Sequence, residues 1–344
     1  MSMKNSIQNI VVRMPNWVGD LVMATPVLTD LRQAYPNATI TAMCRFPICD
    51  LLKTDESIDE LFCFHKEGNQ FKPREEKRDI IAKLQAGKFD LGILLTNSFS
   101  SSWLFWQGNV QRRIGYAHFP RSLLLTDSVA FPCEKQHQVD LYKGLLKPLG
   151  IERSSTSPRI YVEDQEIEAA QALLYKRGYQ TGSKLIGMNP GAAYGAAKCW
   201  PSERYQKLAK ELLKEDVWIV FFGDGGSREM IQKICQELGE RAINLAGFTT
   251  IRELACLIQE CDVLVTNDSG PMHIGSALGT PLVALFGSTD RHVTGPYGQF
   301  ESVVCKEAAC SPCLKRVCPI DFRCMTEISV EEVADRVRQK CFGH

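Results

Sequence analysis

Twice along this chain, short apolar runs of strand type alternate with amphipathic helical patterns, and that alternation admits little besides parallel sheets wrapped by helices. In the first series the runs at residues 10–14, 38–44, 61–64 and 91–96 are separated by helical patterns at 21–35, 46–53 and 75–87. A further helical pattern at 139–149 ends in Gly150, and the polar, proline-containing stretch 152–158 after it reads as a linker. In the second series the runs at 185–189, 217–222, 242–245, 262–266 and 282–286 alternate with helical patterns at 202–214, 227–238, 251–260 and 271–278. The spacing predicts an α/β fold of two doubly wound domains, 1–160 and 161–325, with 326–344 as a closing amphipathic helix. At 344 residues, against about 150 per domain, both domains are long enough to bury a core.

Charge narrows the partners. Forty Lys and Arg match forty Asp and Glu, so there is no global field to attract nucleic acid. Residues 1–160 hold 20 basic and 16 acidic side chains and residues 161–344 hold 20 and 24, a small asymmetry that suits a first half meeting an anionic partner. The polar start, residues 1–9, has no apolar stretch of secretory length, and no apolar run approaches the roughly 20 residues that span a bilayer. The expectation is a cytoplasmic protein without a transmembrane segment.

Among fourteen cysteines, Cys44, Cys63, Cys235, Cys256 and Cys261 sit in apolar runs and read as buried free thiols. Cys310, Cys313, Cys318 and Cys324 stand apart, spaced C-x2-C-x4-C-x5-C. Four thiolates so placed suit a tetrahedral zinc or iron–sulfur site; a reduced, cysteine-rich loop fits the spacing equally well.

Ligands of doubly wound sheets bind beyond the carboxyl ends of the strands, so the informative residues lie in strand-to-helix turns. In the run Val263-Leu-Val-Thr-Asn-Asp-Ser-Gly-Pro-Met-His273 a strand breaks and a helix opens with Pro271 in its first turn. Asp268 or Ser269 suits the N-cap, and the free backbone N–H groups near Gly270, with the helix dipole, make an anion site that His273 can reach. The alternative is a plain capped helix. In Asn189-Pro-Gly-Ala-Ala-Tyr-Gly-Ala-Ala-Lys-Cys-Trp-Pro201, small residues such as Gly191 admit a ligand to the backbone while Lys198 places a cation against phosphate oxygens. Two anion-suited loops in one domain favour a nucleotide diphosphate. The Gly223, Gly225, Gly226 loop is an imperfect dinucleotide fingerprint; Asp224 or Glu229 could hold a ribose diol, or simply complement the helix dipole. In the other domain Asp20 lies in the first turn of a helix, where the dipole favours a carboxylate and a general-base role needs reach more than a high pKa.

Together, Met14-Pro-Asn-Trp-Val-Gly-Asp20, Asn189-Pro-Gly191 with Lys198 and Trp200-Pro201, Asn267-Asp-Ser-Gly-Pro-Met-His273 and Phe286-Gly-Ser-Thr-Asp290 resemble glycosyltransferase family 9. Within it they are most similar to the lipopolysaccharide heptosyltransferases that add the second heptose. The resemblance runs from residue 9 to about residue 341, includes the C-terminal cysteine segment, and implies a GT-B architecture: two Rossmann-like domains facing across a cleft, acceptor on the first and nucleotide sugar on the second. It implies inverting transfer of L-glycero-D-manno-heptose from ADP-heptose to the first heptose of the inner core, with no required metal or cofactor. By position, Asp20 is implied as general base and Lys198 as the diphosphate lysine. Asp268, Ser269, Gly270 and His273 are implied to grip donor phosphates and sugar; Gly191, Gly223 and Glu229 are candidates for the nucleotide site from the reading of their turns, with Asp224 the alternative to Glu229. Ala192 and Ala193 stand where many members have Thr or Ser, so backbone N–H groups serve there. The acceptor is a lipid-anchored, anionic oligosaccharide, which implies a peripheral position at the inner face of the inner membrane. It makes Lys72, Arg74, Lys77, Arg78, Arg112, Arg113 and Arg121, with Trp103, Phe105 and Trp106, candidate contacts, against surface and core roles for each. The rival readings are another family 9 sugar transferase, a non-catalytic nucleotide-binding module, and a metal or redox enzyme centred on the four cysteines.

Overall fold

Parallel strands covered by helices on both faces are buried throughout, and the runs of the central strands behave this way in the computed structural model, which describes residues 7–65 and 73–343, while the run at 61–64 is half-buried. The first unit, Met1–Arg159, contains β1 (Asn9–Arg13), α1 (Val18–Ala34), β2 (Thr39–Arg45), β3 (Glu60–Phe64), α2 (Pro73–Ala86), β4 (Leu91–Leu94), α3 (Phe99–Gln107), β5 (Arg112–Tyr116), β6 (Asp127–Val129) and α4 (Gln138–Gly144). The second, Ile160–His344, contains α5 (Asp164–Tyr175), β7 (Lys184–Asn189), α6 (Ser202–Leu212), β8 (Val217–Phe221), α7 (Arg228–Cys235), β9 (Ala242–Asn244), α8 (Ile251–Gln259), β10 (Val263–Asn267), α9 (Gly270–Leu278), β11 (Leu282–Phe286), α10 (Arg291–Thr294), β12 (Val303–Cys305), α11 (Arg323–Thr326) and α12 (Val330–Phe342).

Each unit folds around one six-stranded parallel sheet, in the orders β3-β2-β1-β4-β5-β6 and β9-β8-β7-β10-β11-β12. Both are the doubly wound Rossmann order, so each sheet reverses direction once, between β1 and β4 and between β7 and β10. Register places Val11 between Thr41 and Gly92, and sets Asn189 against Thr266. The first core gathers Val11, Met43, Leu94, Phe105 and Val110; the second gathers Met188, Tyr205, Phe221, Val265, Leu285 and, from α12, Val333 and Val337.

Local chemistry explains two departures from simple helix rules. Pro26 lies inside α1, where its ring removes the N–H that would reach Val22. The Thr25 hydroxyl takes that place, donating to the Val22 carbonyl at 2.9 Å. The stretch 152–158, expected as a linker, is tied down: Ser154 and Thr156 donate to the buried Asp30 carboxylate at 2.8 and 2.9 Å.

The structure adds elements that periodicity does not mark, α3, β5, β6, α5 and β12, and turns the pattern at 46–53 into a short 3-10 turn, Ile48–Leu52. Cys63 is not a free thiol: it is bonded to Cys49, whose turn lies beside β3, with Cα atoms 6.1 Å apart. No helix among the described residues is long and apolar enough to cross a membrane.

Candidate active site

In the second unit the turns leaving β7 and β10 flank the reversal of strand order, where the chain diverges to opposite faces and leaves a crevice. Asn267, fully buried at the end of β10, ties the β7 turn across it. Its Oδ1 accepts the Trp200 backbone N–H at 3.0 Å and the Tyr205 hydroxyl at 3.2 Å, and its Nδ2 donates to the Pro190 carbonyl at 2.6 Å. Both ends of the turn are thereby fixed to β10, and Trp200 is pinned further by its indole N–H on the Ile328 carbonyl at 3.1 Å.

From this braced turn Lys198 reaches Asp268, Nζ to Oδ2 at 2.6 Å, with side-chain exposures of only 12% and 4%. Thr289, in the turn after β11, donates to the same Oδ2 at 2.5 Å. The Lys198 ammonium also lies 4.8 Å from the centre of the Tyr194 ring. Such a pair adds little net stability, because the desolvation of both ions offsets their attraction. What it does provide is a cation held in one place. The carboxylate of Asp268 therefore acts on Lys198, and an anion arriving at the site would meet the lysine and the helix end.

Ser269 is the N-cap of α9, with Pro271 in the first turn as the sequence suggests, yet its hydroxyl does not cap the helix. It sits 3.2 Å from both Thr266 Oγ1 and Asn189 Nδ2. The first-turn N–H groups at Gly270 keep no side-chain acceptor, which preserves the positive end of the helix for an anion. His273 is buried at the end of that first turn.

The glycines have a packing reason as well. A Cβ on Gly191 would stand 3.0 Å from Ser227 Oγ, and one on Gly223 would stand 2.9 Å from Ile231 Cδ1 and 3.0 Å from Ser227 Cβ, so the β7 and β8 turns close on Ser227. Asp224 accepts the Ser227 N–H at 2.9 Å as the cap of the short turn before α7. Glu229 is 84% exposed and ion-paired along its own helix with Lys233 at 3.1 Å.

In the first unit α1 starts at Val18 and puts Asp20 in its first turn. Tyr142, buried on α4, donates to Asp20 Oδ1 at 3.1 Å. Burial first, and the Asp20 charge second, hold the Tyr142 phenol well above its ordinary pKa, so it stays a donor. Nothing in the sequence singles out Tyr142; only the packing of α4 on α1 reveals it. Arg13 braces the turn before α1, with Nη2 on Asn16 Oδ1 at 2.7 Å and its guanidinium 4.6 Å from the Phe64 ring centre; burial lowers its pKa to about 10.

Several candidate acceptor contacts have structural partners instead. Arg112 pairs with Asp127 at 2.7 Å, Arg113 donates to the Leu124 carbonyl at 2.7 Å, and Arg121 is fully buried with Nη1 on Asn97 Oδ1 at 3.0 Å. Phe105 is core, Trp103 is half-buried, and Trp106, Lys77 and Arg78 are exposed. Lys72 and the Arg74 side chain lie outside the described residues.

Known proteins share the family and the fold. A family model described as glycosyltransferase family 9 (heptosyltransferase) matches residues 78–322. The lipopolysaccharide heptosyltransferase 2 of Salmonella typhimurium is 30% identical over 86% of this chain and 87% of its own length. The lipooligosaccharide heptosyltransferase 2 of Campylobacter jejuni is 28% identical over 96% of this chain and 98% of its own. The solved structure of E. coli ADP-heptose lipopolysaccharide heptosyltransferase II superposes with a TM-score of 0.83 at 26% identity, covering 98% of this chain and 99% of that one. The fold class, two doubly wound units of GT-B type, is thus shared with a heptosyltransferase.

Proposed function

The chain belongs to glycosyltransferase family 9, and from that premise we propose that it is the heptosyltransferase that adds the second heptose of the lipopolysaccharide inner core. It moves L-glycero-D-manno-heptose from ADP-heptose to the first heptose of a heptosyl-Kdo2-lipid A acceptor, with inversion at the anomeric carbon. The observation that carries the reading is the arrangement of Lys198 and Thr289 on the buried Asp268 in the turns after β7, β10 and β11.

The donor brings its own leaving group, so the protein has two tasks: to neutralise ADP as the glycosidic bond breaks, and to orient and deprotonate the acceptor hydroxyl. Lys198, held by Asp268, meets the diphosphate, and the start of α9 at Ser269 and Gly270 supplies N–H groups and dipole to the same charge. No divalent cation is required for that step. His273 donates at the sugar or phosphate, and the Gly191 and Gly223 turns bring backbone N–H groups close where Ala192 and Ala193 offer no hydroxyl. Glu229 exchanges its surface pair with Lys233, which is weak at such exposure, for the ribose hydroxyls. Asp20 takes the proton of the attacking hydroxyl, and Tyr142 aims it.

Because the acceptor is lipid-anchored, the protein works as a peripheral enzyme at the cytoplasmic face of the inner membrane. Phe119 and Leu123, 79% and 76% exposed, are apolar groups suited to that surface. The test offers purified protein ADP-heptose and UDP-sugars side by side, with acceptors bearing one heptose or none. Product is expected only from ADP-heptose on the monoheptosylated acceptor. Comparable transfer to the unheptosylated acceptor, or use of a UDP-sugar, would reassign the substrate within the family; nucleotide binding without any transfer would favour a non-catalytic module.

A further inference from the structure

Cys310, Cys313, Cys318 and Cys324 line a cavity of about 40 Å³, but among the described residues no group of three or more His, Cys, Asp or Glu is arranged to hold a metal ion. A larger cavity, about 370 Å³, lies against β9 at the outer edge of the second sheet, and its lining carries two arginines and no acidic side chain. We propose that this larger cavity binds a phosphorylated sugar, with Arg177 and Arg228 on the phosphate and Gln232 and Gln236 on the hydroxyls, and that it is separate from the donor site.

Three elements build the cavity. β9 is an edge strand, so its outer side has no neighbouring strand. Arg177, two residues beyond the end of α5, reaches that side and donates from Nη1 to the Asn244 carbonyl at 3.2 Å. α7 begins at Arg228 and is followed by Gln236 as its C-cap, and the spacing of 228, 232 and 236 keeps these three side chains on one face of the helix. The Asn244 amide donates to Gln232 Oε1 at 3.1 Å, which leaves the Gln232 N–H groups for an oxygen of the ligand. The turn after β9 adds Phe248.

Phe248 orders the two cations. The guanidinium carbon of Arg228 lies 4.0 Å from the ring centre and that of Arg177 lies 4.9 Å from it. Attraction to the ring holds both side chains in place, so less rotamer freedom is lost when a ligand arrives. The ring is thereby occupied by arginine and is not a free platform for a nucleobase. Two like charges gathered at one ring repel each other, and an anion between them relieves that repulsion. The adjacent carboxylate, Glu229, is taken by Lys233 at 3.1 Å and does not line the cavity. Guanidinium groups offer paired N–H donors that match phosphate oxygens, and carboxamides suit hydroxyls. The volume falls in the range of small-molecule sites, roughly 300–1,000 Å³, which admits a hexose phosphate and excludes a lipid-linked oligosaccharide. In the sheet order, β8 and β7 stand between β9 and the reversal at β10 that carries Lys198 and Asp268.

The test titrates the full chain by calorimetry with glucose 6-phosphate, inorganic phosphate and glucose at constant ionic strength, with and without saturating ADP. Arg177→Gln and Arg228→Gln replace exposed side chains of the cavity, and Lys176→Gln replaces an exposed cation outside its lining. Glucose 6-phosphate is expected to saturate a single site with Kd below about 10 mM. Either arginine variant should bind it about tenfold or more weakly, while Lys176→Gln and the ADP-saturated protein keep the wild-type affinity. Absence of saturable binding would overturn the proposal, as would an equal loss in Lys176→Gln. Inorganic phosphate binding as tightly as glucose 6-phosphate would overturn the assignment of a sugar, and displacement by ADP would overturn the separation from the donor site. No transfer reaction is read, so failure here is distinct from failure of the heptosyltransferase reading.

Discussion

Asp268→Asn removes the charge that holds Lys198 while keeping the shape of the site. The wild-type carboxylate is almost fully buried and meets Lys198 Nζ at 2.6 Å and Thr289 Oγ1 at 2.5 Å. A hydrogen bond to a charged group contributes roughly 1.5–3 kcal/mol, and stripping one partner from a fully buried pair costs about 3–5 kcal/mol. Lys198 keeps some access to water and the Tyr194 ring beside it, so the lower figures apply and a loss of about 2 kcal/mol is expected. For a unit the size of Ile160–His344, each kcal/mol moves Tm by roughly 2–4 °C, giving a fall of about 4–8 °C. ADP reverses the balance. Its diphosphate replaces the missing negative charge and no longer faces a carboxylate, so ADP binds the variant at least as tightly and raises its Tm by more than it raises that of wild type. Turnover nevertheless falls by about tenfold, because one charge-assisted contact of some 1.4 kcal/mol no longer places Lys198 at the leaving group. Scanning calorimetry with and without ADP, titration calorimetry and a transfer assay read the three quantities. A tenfold or greater loss of ADP affinity in the variant would show that the carboxylate contacts the ligand itself, and would refute the positioning role.

Lys198→Met should weaken ADP binding by roughly 10- to 100-fold, the worth of a charge-assisted phosphate contact, as read by titration calorimetry; unchanged affinity would remove Lys198 from the donor site. Tyr142→Phe deletes the donor to Asp20, and a loss of about 5- to 10-fold in kcat with little change in KM is expected. A carboxylate that has lost a donor holds its proton to higher pH, so the acidic limb of the rate profile should move upward in that variant. Asp127, whose pKa is held below the ordinary carboxylate value chiefly by its hydrogen bond from Arg112, contributes stability that is present above about pH 4 and lost as pH falls through its folded pKa. Asp127→Asn should therefore lower Tm at pH 7 and flatten the loss of Tm below about pH 4; an unchanged acid slope would contradict this. Gly195→Ala places a Cβ 2.4 Å from the Arg316 carbonyl oxygen and should lower Tm by roughly 2–12 °C.

Much of the fold is legible because parallel strands buried on both faces write themselves as uninterrupted apolar runs, as in β8 and β11. β5 escapes notice because it opens with Arg112 and Arg113, which read as solvated until Asp127 and the Leu124 carbonyl are brought to them. α3 carries serines and aromatics on all sides and shows no clear apolar stripe, while β6 and β12 are only three residues long. At the site, the turn motifs point to Lys198, Asp268, Ser269 and Asp20, since each sits where a strand ends and a helix begins. Their pairing is a property of the sheet order, which brings the β7, β10 and β11 turns together, and no spacing rule announces it. Thr289 and Tyr142 are ordinary residues in sequence and acquire a role only through what they touch. The disulfide between Cys49 and Cys63 is hidden for the same reason.

The account stands most directly on heptosyl transfer by wild-type protein and Asp20→Ala, with ADP-heptose, a lipid A core acceptor bearing one heptose and no added divalent cation. Turnover should be present in wild type and fall by about a hundredfold or more in the variant, the scale of a lost general base, while both proteins bind ADP alike. Full turnover in Asp20→Ala would contradict the account.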